Sequence, residues 1–304
     1  MQCLCASVTV LAVLIAAASG QQGTVLPGLQ RPSCLPGKTL FSAANSCRDI
    51  LRCYPSSTSG EYYVRFWQEG QYVVRKVYCS MERTHCGVKG GWMRIAHLDT
   101  KDKAGCPEPL TEVNASDAKT LCTRSTETGC SSVLYRSHGY PYSRICGKAK
   151  GFSFGSPDAF ARVPKNPNGI DHAYADGLSI THGSPRKMLW TYTAGLSENG
   201  WGDPYHSCPC SAKGMPAPPA FIGGDYHCES AVKEEAEKKW YLDDPLWDGE
   251  GCPVGNNCCV KSGLPWFCQT LPVESTDDIE VRICLDEPPE EEDIGIEELE
   301  LFLY

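Results

Sequence analysis

The chain has 304 residues, with 28 Lys+Arg against 37 Asp+Glu for a net charge of −9, 41% hydrophobic residues and a mean hydropathy of −0.31. That balance supports a sizeable core in one large domain or two small ones. It excludes a basic nucleic-acid binder and a multispan membrane protein.

The 19 cysteines point to an oxidising compartment, where disulfides persist. The charge is uneven. From Glu274 to Tyr304 there are 13 acidic residues against one basic residue, Arg282, a net −12 that leaves +3 for residues 1–273.

In chain order, residues 1–20 have the shape of a signal peptide. A compact apolar run, Val8 to Ala18, precedes Ser19-Gly20, and Ala18 and Gly20 occupy −3 and −1 of a cleavage site, although no Lys or Arg lies before the run. Cleavage would remove Cys3 and Cys5 and leave 17 of the 19 cysteines. An odd number implies a thiol that is free, buried and inert, or bonded to another chain in a disulfide-linked oligomer. Residues 21–45 form a Pro/Gly/Ser-rich segment, and residues 46–304 read as one domain with its acidic end at 274–304.

Glu61 to Trp67 and Gln71 to Tyr78 alternate around Gln68-Glu69-Gly70 and predict a β-hairpin. Gly91 to Leu98 predicts a third strand with Trp92 beneath it. Residues 100–170 read as turn-rich, with a short helix over Ser116–Cys122 behind an N-cap at Ser116. Asn114-Ala115-Ser116 is a glycosylation sequon at Asn114. Further strands are predicted at Lys187–Thr193, Asp278–Cys284 and Ile296–Tyr304, and a charged, exposed helix at Ala231–Trp240. The expected class is α+β, mostly antiparallel sheet with long disulfide-stapled loops and few short helices.

Four segments in order carry a resemblance: Cys47-Arg48-Asp49-Ile50-Leu51, Ser59-Gly60-Glu61-Tyr62-Tyr63-Val64, Val77-Tyr78-Cys79-Ser80-Met81-Glu82 and Gly90-Gly91-Trp92-Met93-Arg94. They are similar to the opening of fibrinogen-related domains, with Ser80 where that family has Asp and a glycine run shortened to two. Later runs include Tyr142 to Gly147, Gly155 to Phe160, Asp176 to Gly183, Asp244 to Gly249 and Thr276 to Cys284. These resemble secreted cnidarian proteins that carry the same opening, some of them similar to proteins of the organic matrix of coral skeletons. The resemblance implies a fibrinogen-like domain and a Cys47–Cys79 disulfide.

Asp243, Asp244, Asp248 and Glu250, with turns at Gly249 and Gly251, offer the oxygen ligands a calcium ion needs. The layout resembles the calcium loop of fibrinogen-related domains, without its Asp-x-Asp pattern; the competing reading is an acidic surface turn. Tyr241, Trp247, Trp266 and Phe267 lie close to it in sequence. They either line a pocket for sugar or acetyl groups, as the lectin-like relatives imply, or fill the core.

His206, Cys208, Cys210, His227 and Cys228 are zinc-type ligands that fit disulfides better in so cysteine-rich a chain. No HExxH, GxSxG, P-loop or Cys–His signature is present. Asp176, Ser179 and His182 are near in sequence, which does not make a triad.

The acidic end reads as a partly ordered strand with an acidic rim, able to attract calcium or a cationic mineral face. The sequence therefore leads to an expected secreted, non-enzymatic protein that binds extracellular matrix components, a mineral surface or glycans, with calcium as a cofactor and no membrane span after cleavage. The alternative expectation is a calcium-dependent, lectin-like recognition protein.

Overall fold

The computed structural model describes residues 24–26, 34–102, 104–115, 119–155, 157, 177–195, 226–230, 239–248, 266–285 and 287–304. The signal-peptide segment lies outside them. The described strands are β1 (Thr24–Leu26), β2 (Gly60–Gln68), β3 (Gln71–Ser80), β4 (Thr84–His85), β5 (Val88–Lys89), β6 (Trp92–Asp99), β7 (Thr111–Asn114), β8 (Thr120–Thr123), β9 (Gly129–Tyr135), β10 (Tyr142–Gly155), β11 (Gly177–His182), β12 (Lys187–Gly195), β13 (Tyr226–Ser230), β14 (Trp240–Leu246), β15 (Trp266–Ser275), β16 (Ile279–Leu285) and β17 (Glu292–Leu303). One α-helix, α1 (Cys47–Cys53), is described, capped where the Asp49 amide donates to Ser46 Oγ at 2.9 Å.

Two sheets dominate. A ten-stranded sheet runs β1-β3-β6-β17-β10-β14, with β2 on β3, β15 on β10, and β7–β8 against β17. A five-stranded sheet runs β13-β12-β11-β16-β9. All pairings are antiparallel except β12 with β13.

One buried cluster draws Ile145, Ala149, Leu299 and Leu301 from the large sheet and Leu178, Ile180, Val281 and Ile283 from the small one. The two sheets therefore share a single core, as in a sandwich. Trp190 stacks on Phe267 across it with ring centroids 5.0 Å apart.

The expected α+β class is wrong: the chain is a mostly antiparallel β fold. The helix expected over Ser116–Cys122 is replaced, from Thr120 on, by β8. Cys122 is bridged to Cys106 and pairs in register with Glu112, and these long-range ties override a weak local helix signal. The helix expected at Ala231–Trp240 lies outside the described residues except at its end, where Trp240 opens β14.

The turn-rich reading of 100–170 also fails, because β7, β8, β9 and the fourteen-residue β10 lie there. Strand β10 is central and approached closely from both sides. A Cβ at Gly147 would collide with the Phe267 ring, and one at Gly151 with the Trp247 ring and the Gly295 carbonyl. Glycine is required there for close approach.

The acidic end is the other central strand. β17 pairs β10 from Ile145↔Leu303 to Gly155↔Glu292 on one side, and β6 and β8 on the other. Glu292, Asp293 and Glu297 are buried.

Bases distant in sequence answer these charges. Lys150 lies 2.8 Å and Lys101 3.4 Å from Glu297, Lys148 lies 2.8 Å from Glu298, and Arg94 lies 3.3 Å from Glu300. Burial pushes the Glu297 carboxyl up, but Lys150 and then Lys101 outweigh it and hold it below the ordinary glutamate value. The excess −12 of the terminal segment is thus partly spent inside the fold against the +3 body.

Five disulfides staple the described residues: Cys34–Cys53, Cys47–Cys79, Cys86–Cys268, Cys106–Cys122 and Cys130–Cys284. The second is the pair the resemblance implied. Cys146 is buried and free. The described helix is neither long nor apolar enough to cross a membrane.

Candidate functional site

The expected calcium ligands are only partly placed. Asp243 and Asp244 fall in β14, inside a bulge where Tyr241 pairs Ser153 while Leu246 pairs Gly151. Asp248 follows in a turn, half-buried, and its charge helps raise the Lys150 ammonium pKa. Glu250 lies outside the described residues, as do His206, Cys208 and Cys210; of His227 and Cys228 only the backbone, in β13, is described. Asn114 is exposed at the end of β7, with Thr120 Oγ1 donating to its Oδ1 at 3.3 Å.

Three of the four expected ligand-binding aromatics are buried in the core, the competing reading, and the fourth is half-buried. Trp247 is 0%, Phe267 5% and Tyr241 6% exposed. Trp247 contacts Tyr192 edge-on, and Trp266 is half-buried against His85 and Phe302. The enclosed rings of Tyr241, Trp247 and Phe267 fill volume in the core. His182 Nδ1 lies 3.0 Å from Asp277 Oδ2, a residue 95 positions away, while Asp176 lies outside the described residues.

The cleft that the fold builds lies elsewhere. It has a volume of about 580 Å³ and is lined by Gln68, Arg75, Arg136, His138, Gly139, Thr276, Asp277 and Asp278. Three segments converge on it. Gln68 and Arg75 come from the β2–β3 hairpin, whose turn at Glu69 and Gly70 has φ of 46° and 82°, the left-handed pair a tight hairpin demands. Residues 136–141 carry the chain from β9 in the small sheet to β10 in the large one, and residues 276–278 carry it back from β15 to β16. The cleft therefore sits where two connections change sheets.

Its walls are fixed by hydrogen bonds. Arg136 Nη1 and the Ser137 amide both donate to Asp278, at 2.7 and 2.8 Å. Ser137 Oγ donates to the Thr276 carbonyl at 2.6 Å and accepts from the Gly139 amide at 3.1 Å. Gln68 Nε2 donates to the His138 carbonyl at 3.2 Å. His138 is held at φ 57°, a left-handed conformation uncommon for a side-chain-bearing residue and concentrated at functional sites. Hydrogen bonds from Ser275 and His182 hold the Asp277 carboxyl below its ordinary range.

Burial, followed by the charges of Arg75 and Arg136, lowers the His138 pKa below its ordinary 6.5 despite the opposing pull of Asp278. Burial does the same to His85, which stacks on Phe302 at 4.6 Å with Nε2 3.0 Å from Ser80 Oγ. Both imidazoles are neutral in the fold near pH 7. As pH falls through 6.5, the unfolded chain takes up these protons first. The stability they contribute is thus complete above 6.5 and lost as pH falls toward the lowered values. Urea midpoints should drop between pH 7 and 5.5, with a shallower drop in His85→Phe; an identical slope in the two proteins would contradict this.

Sequence reasoning missed this cleft. Arg136, Ser137 and His138 have no local motif and fall within the stretch read as turns. Gln68 and Arg75 are legible only as parts of a hairpin, and Thr276, Asp277 and Asp278 only as the start of the Thr276–Cys284 run. No protein-family model matches the chain, and no curated protein matches it.

Proposed function

We propose that the protein is a secreted, non-enzymatic binding protein of the extracellular matrix whose ligand is a glycan held in the Gln68/Arg75/Arg136/His138/Asp277/Asp278 cleft. The observation that carries this reading is the make-up of the cleft. Its two arginines and two aspartates balance and its histidine is neutral, so its lining has no net charge to recruit an ion. It is nevertheless dense in fixed donors and acceptors.

A sugar hydroxyl both donates and accepts, which suits walls that alternate guanidinium, carboxylate and amide groups. The volume lies within the usual range for small-molecule sites, and the hydrogen-bonded walls are ordered before a ligand arrives, which limits the entropic cost of binding. The five disulfides fit an oxidising, extracellular setting. The likeness to fibrinogen-related domains agrees with binding rather than catalysis.

A glycan array probed with the secreted protein, with and without chelator, tests the reading. Binding should survive chelator and fall at least tenfold in Arg136→Gln. That exposed side chain contributes little to stability, so its loss should not unfold the protein. Binding abolished by chelator and untouched by Arg136→Gln would move recognition to the acidic segment at 243–250.

A further inference from the structure

Cys146 is fully buried in a small cluster with Trp92 and Phe302, and it is the one free thiol among the cysteines whose side chains are described. It is not isolated from other sulfur. Its Sγ lies within 4.8 Å of both Cys86 Sγ and Cys268 Sγ, which are bonded to each other. Cys146 and Cys268 are also directly opposite residues of neighbouring antiparallel strands, β10 and β15. Opposed residues in such a pair place their Cα atoms roughly 4.5–5.5 Å apart, within the span a disulfide accepts. Two mutually exclusive bridges, Cys86–Cys268 and Cys146–Cys268, are therefore both compatible with the same backbone.

We infer that these three cysteines form an internal exchange site, in which the free thiol passes from the interior at Cys146 to the half-buried Cys86 without any external oxidant. Cys146 gives up its proton, and its sulfur attacks Cys268 Sγ. The Cys146–Cys268 bond forms as the Cys86–Cys268 bond breaks, and Cys86 leaves as a thiolate that takes up a proton. One disulfide and one thiol are present before and after, so the electrons balance.

Burial raises the Cys146 pKa to about 12, so little thiolate is present at neutral pH and the exchange is slow. Its consequence is local. Cys86 lies between the two strands of the β4–β5 ribbon, and its bridge is the covalent tie of that ribbon to β15 across a sequence separation of 182. Exchange releases the ribbon and presents its thiol near the surface.

Prolonged treatment of the folded, secreted protein with N-ethylmaleimide, followed by acid quench and non-reducing peptide mapping, tests the inference. The reagent should trap the emerging thiol, so the label should accumulate on Cys86 while a Cys146–Cys268 peptide appears. Cys146→Ser should abolish both. The secreted Cys86→Ser variant should carry the Cys146–Cys268 bridge and no thiol at either position. Label confined to Cys146 with Cys86–Cys268 intact, or no labelling of either residue until the protein is unfolded, would overturn the inference. So would a Cys86→Ser protein in which Cys146 and Cys268 both remain alkylatable.

Discussion

Replacing Arg124 by alanine should lower the stability of the fold by about 3–5 kcal/mol, the cost of breaking a buried charge pair by removing one partner. The Arg124 side chain is fully enclosed. Its guanidinium donates to the carbonyls of Leu285 at 3.1 Å, Glu292 at 2.9 Å and Glu287, and lies 3.3 Å from Asp293 Oδ1. Leu285 ends β16 in the small sheet, Glu287 lies in the connection that follows, and Glu292 and Asp293 open β17 in the large sheet. One buried side chain thus ties the end of β16 to the start of β17.

Alanine leaves those carbonyls and a buried carboxylate without their donor. Arg124→Lys keeps the charge but loses the fork, so it should recover only part of the loss. Denaturant midpoints of the wild type and the two variants check this, and a wild-type midpoint in the alanine variant would contradict it.

Trp92→Ala should cost about 3–5 kcal/mol, as truncation of a buried aromatic residue does. The indole is 0% exposed, packs against His85 and Tyr304 with ring centroids 5.8 and 5.1 Å away, and donates from Nε1 to the Val88 carbonyl at 3.1 Å. It fills the space beneath the β4–β5 ribbon that also encloses Cys146. Alanine opens a cavity there, orphans a carbonyl and loosens the cover over the thiol. Chemical denaturation reads the loss, and an unchanged midpoint would place the indole outside the core.

The elements that sequence inspection finds are those whose burial pattern is written in their own residues. The β2–β3 hairpin alternates around a Glu-Gly turn, and β16 alternates polar and apolar residues from Ile279 to Cys284, although the fold buries Arg282 along with its apolar neighbours. Trp92, set behind two glycines, is as deeply buried as that context implied.

The elements that inspection misses owe their placement to distant partners. β10 reads as turns because Gly147, Ala149 and Gly151 carry no apolar signal, yet their smallness lets Phe267, Leu301 and Trp247 close over them. The strand at Ile296–Tyr304 is legible and is the body of β17, but the burial of its glutamates is not, because the lysines that answer them come from positions 101, 148 and 150. The cleft is assembled from three stretches nearly 210 residues apart, so no local spacing announces it. Gln68 and Arg75 lie in the predicted hairpin and residues 276–278 in the Thr276–Cys284 run, but nothing local joins them to Arg136 and His138.

The burial of acidic residues in β17 redirects the functional reading from an exposed acidic rim toward the cleft, so β17 is the place to test it. Hydrogen exchange on the folded protein at pH 7 should find the amides of residues 292–303 among the slowest in the chain, protected up to the global unfolding free energy, as expected for a strand paired on both sides. Exchange of that segment within seconds, at the rate of an open chain, would return it to the surface as an acidic tail and contradict the account.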